Sequence, residues 1–254
     1  SSSRGAEDLA EDLRNLHSTV FEFPAWETLP HERLSPRSDT VAKRIQTLYS
    51  LQQKQSINPI VVTPVRGVIH RIITKLGKSP LLQLEIGKEQ SLDELVRHLS
   101  SLAYSRTDLV ERRGEFAVRG GIVDLFLPLS HHPIRIDFFG DEIDDLSYFS
   151  ISDQRSIEKI EGELIVYPCR ELLIDETVKQ KAKLLGNEFI EIRELTEKIC
   201  EGIYFEGIES LAAGLVNSFK MLIDYLPKSS QIWFVDDPRI NSRSLDLVKT
   251  NNEF

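Results

Sequence analysis

Apolar residues recur at helical spacing, alternate, or run together in different parts of this chain, and each pattern predicts a different element. Residues Ala6 to Leu16 carry the spacing of a short helix, and TVFEF (Thr19 to Phe23) alternates as a strand does. The stretch PAWETLPHERLSPRSD that follows holds three prolines and little periodicity, so it reads as a loop. Asp39 is placed to cap a helix running through TVAKRIQTLYSL, where Val41, Ile45 and Leu48 share one face. PIVVTPV is a continuous apolar run of the kind a buried parallel strand shows. Strand, helix and strand in that order predict an α/β layer.

The pattern then changes. LLQLEI (Leu81 to Ile86) reads as a strand, and Ser91 with Glu94 three residues on forms a capping box that opens the helix LDELVRHLSSLAY. From Leu109 to Pro168 short alternating segments are separated by RRG, GG, LSHHP, GDE and SDQRS, which is the signature of an antiparallel sheet. Beyond it, ETVKQKAKLLGNEFIEIRELTEKICEG reads as helix with a break around Gly186-Asn187, and QIWFVDD as a buried strand with an acidic exit. The predicted fold class is therefore α/β, with an antiparallel sheet domain inserted into a parallel layer. Its expected divisions are 1–82, 83–170 and 171–254.

Within the inserted sheet, residues two apart share a face. Phe116 and Val118 pair with Ile136 and Phe138 as the core set, leaving Glu115, Ala117 and Arg119, with Arg135, Asp137 and Phe139, on the other side. A phenylalanine among arginines on a face that should meet water has two readings: Phe139 packs under a neighbouring loop, or Arg119, Arg135 and Phe139 form a protein-binding patch, since arginine and aromatic anchors dominate interface energetics. Gly120-Gly121 joins two strands as a tight turn and offers no helix N-terminus to a phosphate.

Composition narrows the function classes. With 41% hydrophobic and 28% charged residues the chain should fold, and its length suggests two domains or one with an insertion. A formal net charge of -9 argues against a sequence-independent grip on nucleic-acid phosphates. Cys169 and Cys200 lie far apart and read as reduced thiols of a cytoplasmic protein. No apolar run reaches bilayer length, and the acidic start SSSRGAEDLAEDL is no signal peptide. That start is also abrupt, as for a piece of something longer. LGKSP (76–80) resembles the end of a P-loop, but Ile72 stands where a glycine is needed and Pro80 would sit inside the cradling helix. His131 and His132 would point to opposite faces of a strand, so with the carboxylates of GDEIDD they make no convergent metal site. The acidic VDD after Phe234 has no P-loop lysine to work with, and no Ser-His-Asp or Cys-His spacing is visible. No catalytic, cofactor or metal residue is expected.

GEFAVRGGIVDLFLPLSHHPIRIDFFGDEID, followed by SISDQRS, closely resembles the sheet domain shared by the nucleotide-excision repair protein UvrB and the bacterial transcription-repair coupling factors. FPAWETLPHERLSPRSDTVAKRIQTLYSL and ISDQRSIEKIEGELIVYPCREL resemble segments of the coupling factors in particular, so the similarity spans residues 20 to 175. It implies a degenerate, helicase-like α/β domain that has lost ATP binding and carries the inserted sheet. It also implies docking onto UvrA, the damage-recognition ATPase, through two arginines and a phenylalanine that match Arg119, Arg135 and Phe139. In such a family ATP, RNA polymerase and double-stranded DNA are engaged by other domains of a longer chain. Arg135→Ala is expected to abolish UvrA binding with the fold intact. The alternative is an ATP-dependent UvrB-like damage-verification protein whose P-loop lies upstream of Ser1.

Overall fold

A computed structural model describes residues 2–28, 32–53, 59–74 and 81–253. The P-loop-like LGKSP lies outside the described residues.

The chain opens with helix α1 (Ser3–Arg14), capped by the Ser2 hydroxyl, which accepts from the Gly5 amide at 3.1 Å. Ala6 and Ala10 of α1 pack with Val20 and Val62. Strand β1 (Val20–Glu22), helix α2 (Ser38–Gln52) and strand β2 (Ile60–Val62) follow, and β1 pairs with β2 in parallel, Val20 opposite Ile60. The expected strand, helix and parallel strand are all present. Helix α2 starts two residues earlier than expected, at Ser38 rather than Thr40, so Asp39 is not its cap. It lies in the first turn, where Oδ1 accepts from the Thr40 amide and Oδ2 from Arg37. Arg44, wholly buried, stacks over the Phe23 ring at 4.2 Å and donates to the Pro24 carbonyl.

Short elements α3 (Val65–Ile69) and β3 (Ile72–Ile73) come next, then β4 (Leu82–Leu84) and α4 (Leu92–Ser101). Ser91 sits at the N-cap of α4 in extended conformation, but its side chain makes no capping bond, so the expected capping box does not form. A six-stranded sheet follows, built from β5 (Ser105–Arg106), β6 (Glu115–Arg119), β7 (Ile122–Leu125), β8 (Ile134–Phe139), β9 (Glu142–Phe149) and β10 (Ser156–Lys159). Strands β6 to β10 form an antiparallel meander, and β5 adds to β6 in parallel. Strand β11 (Leu164–Val166) then pairs back antiparallel on β4, closing the segment near where it opened. Leu95, Leu99 and Leu102 pack with Phe116, Val123, Leu125, Ile134, Ile136 and Leu146 into one apolar core.

Helices α5 (Glu176–Glu188) and α6 (Arg193–Cys200) follow, with Asp175 capping α5 through the Val178 amide at 2.8 Å. Helix α5 runs straight through Gly186 and Asn187, and the break falls at Phe189–Ile192. Gly186 is there for contact: a Cβ on it would sit 2.1 Å from Thr196 Oγ1 of α6. The chain ends through α7 (Ala212–Leu215), β12 (Phe219–Lys220), which pairs with β3, and α8 (Asp237–Glu253).

QIWFVDD is not a buried strand. Ile232, Trp233, Phe234 and Val235 are all exposed, Trp233 at 81%, and the segment has no ladder partner among the described residues. Its apolar run satisfies the sequence pattern of a strand, but a strand exists only where a neighbour takes its backbone hydrogen bonds.

The contacts divide the chain into two compact units. One comprises Ser1–Leu29, Lys43–Ser79 and Asn217–Phe254, and the other Pro30–Ala42 and Pro80–Val216. The second holds the six-stranded sheet together with α4, α5, α6 and α7.

Candidate protein-docking face

The two-residue turn at Gly120-Gly121 fixes the register of the sheet. Gly120 takes a φ of +60°, and the turn sets Arg119 opposite Ile122 and Ala117 opposite Asp124. At the next hairpin but one, Gly140 takes a φ of +63° and sets Phe139 opposite Glu142. Both positions need the left-handed backbone that glycine adopts without a Cβ penalty. Just past the second turn β9 carries one extra residue: Asp137 faces Asp145 and Phe138 faces Ile143, with Asp144 bulged out. That bulge lets Ile143 and Leu146, three apart, both reach the core.

Side-chain parity holds as expected. Phe116, Val118, Ile136 and Phe138 join the core, and the opposite face is laid out in three cross-strand rows. Ala117, Asp124, Arg135 and Ser147 form the first; Arg119, Ile122, Asp137 and Asp145 the second; Phe139 and Glu142 lie beyond. From strand spacing, the α-carbons of Arg119 and Arg135 are about 12 Å apart, and those of Arg119 and Phe139 about the same. The sheet therefore brings the three residues onto one patch.

They are not equivalent on it. Phe139 is 80% exposed, which removes the reading that it packs under a loop. Arg119 is exposed and donates one bond, from Nη2 to the Asp108 carbonyl at 3.1 Å. Arg135 is held. Its Nε and Nη2 donate to the two carboxylate oxygens of Asp124 at 2.7 and 3.0 Å, its Nη1 donates to the Gln154 carbonyl at 3.1 Å, and its guanidinium lies 4.6 Å from the centre of the Phe149 ring.

Asp124 is 3% exposed, and Ala117 and Ser147 in the same row are equally sealed. This end of the solvent face is thus a second, small buried layer, where Val110, Ala117 and Phe126 pack together. The hydrogen bonds to Asp124 raise the affinity of Arg135 for its proton, so it stays charged. Partial burial, then the nearby Asp145 carboxylate, pushes Asp137 above the usual carboxylate range. Asp145 itself is paired with Lys159 at 2.7 Å.

Sequence reasoning missed Asp124, although the signal was present. A lone carboxylate interrupts the apolar IVDLF, and the two-residue turn fixes its parity on the arginine face. The role of Gln154 has no comparable signal. It is a non-glycine residue at φ +61°, and that turn of the backbone accompanies the carbonyl's approach to Arg135.

His131 and His132 stand in an exposed bend before β8, within the LSHHP separator between strands, so the opposite-faces argument for a strand does not apply to them. Among the described residues, no group of three or more His, Cys, Asp or Glu side chains is arranged to hold a metal ion, and no helix is long and apolar enough to cross a membrane. Burial pushes the Cys169 thiol up to about 12, which leaves it protonated and unreactive.

Comparison with known proteins fits this architecture. Residues 82–172 match the family described as the UvrB interaction domain. The transcription-repair-coupling factor of Mycobacterium tuberculosis is 39% identical over 267 residues, covering 99% of this chain and 22% of that protein. The factor of Escherichia coli is 30% identical over 79% of this chain, and that of Bacillus subtilis 27% over 98%. The chain spans about a fifth of the length of these relatives. By its sheet domain and by a similarity that runs along nearly its whole length, the chain belongs to the transcription-repair-coupling factor family, as a module bearing the UvrB interaction domain.

Proposed function

We propose that this module performs no chemistry and acts as a docking platform, recruiting UvrA to stalled transcription through the face that carries Arg119, Arg135 and Phe139. RNA polymerase, duplex DNA and ATP are then engaged by other parts of the longer protein. The observation that carries the reading is Phe139: a phenylalanine 80% exposed, with two guanidinium groups on the same side of a rigid sheet. Exposed aromatic rings flanked by arginines are the composition of interface anchors. In the complex the ring fills an apolar recess of UvrA, and the guanidinium groups meet its carboxylates in charge-assisted hydrogen bonds.

Titration of UvrA with the folded module tests this. Removing a central anchor costs about 2 kcal/mol, or roughly thirtyfold in affinity. Phe139→Ala is expected to lose at least that much, with its thermal midpoint unchanged because the ring contributes little to the core. Arg119→Ala is expected to weaken binding too and to reduce its salt sensitivity. Wild-type affinity in the folded Phe139→Ala protein would refute the assignment.

A further inference from the structure

The two arginines of the patch are built differently, and the difference has consequences for how the face selects a partner. Arg119 has no carboxylate within ion-pair distance among the described residues, and one backbone carbonyl is its recorded partner. Its charge is therefore not tied up in an ion pair. Arg135 sits against Asp124 in a two-pronged bond, with the Gln154 carbonyl on Nη1 and the Phe149 ring beneath. Its side chain is 20% exposed and that of Asp124 3%, so the pair is nearly neutral as seen from solvent.

Three of the guanidinium N–H groups are engaged in this seat, and the rest, on Nη1 and Nη2, have no partner among the described residues. A planar fork held on one edge keeps its remaining donors at fixed angles, a property lysine lacks.

Resting on the docking reading above, we infer that Asp124 is a positioning residue of this face: it fixes Arg135 as a charge-compensated, directional donor, so that Arg119 supplies attraction and Arg135 supplies geometry. The partner group that satisfies both is a pair of carboxylates, one met by an exposed charge without an ion-pair partner and one by a rigid fork. Net attraction at long range comes from uncompensated charge, which salt screens, whereas a directional hydrogen bond at contact is screened far less. The left-handed Gln154 meets Arg135 through its carbonyl, while its side chain donates to the Ile151 carbonyl at 3.0 Å within its own turn and does not touch the arginine, so the fork itself does not need that side chain.

The test is a titration of UvrA at rising sodium chloride with wild type, Arg119→Gln, Arg135→Lys, Asp124→Asn and Gln154→Gly, each assayed below its own unfolding midpoint. Arg119→Gln is expected to flatten the dependence of affinity on salt. Arg135→Lys keeps the charge and loses the fork, and is expected to lose about tenfold or more in affinity at every salt while keeping the wild-type slope. Asp124→Asn uncovers the charge of Arg135, so its slope should be steeper than that of wild type. A residue that merely held the sheet together would not move that slope.

Gln154→Gly keeps the carbonyl and should bind as wild type does. The inference is overturned if Arg135→Lys binds UvrA as tightly as wild type, or if Asp124→Asn unfolds cooperatively and shows both the affinity and the slope of wild type. Should Asp124→Asn fail to fold, Arg135→Lys decides alone. Absence of UvrA binding by wild type would overturn the docking reading and this inference together, whereas binding by wild type with an unaltered Arg135→Lys overturns only the latter.

Discussion

Arg135 carries a structural burden that its place on an outer face conceals. Truncating it leaves the Asp124 carboxylate, 3% exposed, with no countercharge in a row sealed by Ala117 and Ser147. Breaking a fully buried pair by removing one partner costs about 3 kcal/mol or more, and the partial exposure of Arg135 brings this case slightly below that. Arg135→Ala is therefore expected to lower unfolding free energy by about 2–3 kcal/mol in a denaturant titration, and Asp124→Ala in the same chain to recover most of it. The expectation that Arg135→Ala leaves the fold untouched is revised accordingly. Phe139 is the opposite case, since its ring meets water and its loss leaves no void. Parity in β6 and β8 was legible in the residues and put all three side chains on one face. How deep each lay was not, because depth is set by Phe126, Val110 and the loop around Gln154, which reach the face from other parts of the chain.

Elements were legible where the determinant is local. The two-residue glycine turn, the alternation of β6 and β8, and the presence of a helix at α1 follow from near neighbours in sequence. They misread where the determinant is a distant neighbour. Gly186 suggests a break because glycine is a poor helix former, yet it lies inside α5 where Thr196 of α6 comes too close for any side chain.

The balance there can be predicted. Gly186→Ala gains about 1 kcal/mol in helix propensity and loses about 1–3 kcal/mol to overpacking, because Thr196 is 2% exposed and its hydroxyl is tied to the Arg193 carbonyl. Thermal unfolding of Gly186→Ala should show destabilisation, and the same change made with Thr196→Ala should be neutral or stabilising. The bulge at Asp144 is a second example. No residue type announces it, and it decides which side of β9 reaches the core.

For the whole molecule, charge is the property that composition conveys most directly. A balance of -9 with an acidic strip of Asp137, Glu142, Asp144 and Asp145 beside the arginines opposes phosphate binding. Fluorescence anisotropy is expected to show duplex DNA bound more weakly than about 1 μM near physiological salt, with any residual affinity falling as salt rises. A salt-insensitive, sub-micromolar affinity would contradict a role confined to protein docking. QIWFVDD belongs to this scale too, for its pattern specifies an apolar strand and only the surrounding sheet could give it one.

Sequence alone determined the α/β class, the antiparallel sheet segment and the shared face of Arg119, Arg135 and Phe139, because alternation and tight turns act over two to four residues. Tertiary structure alone decided that Arg135 is locked to Asp124 while Arg119 keeps its charge open, and that Ile232 to Val235 stay in water. Those outcomes depend on burial and on partners that meet only when the chain is folded: local pattern marks Asp124 as a carboxylate on the arginine face, and the fold decides that it is sealed and paired with Arg135.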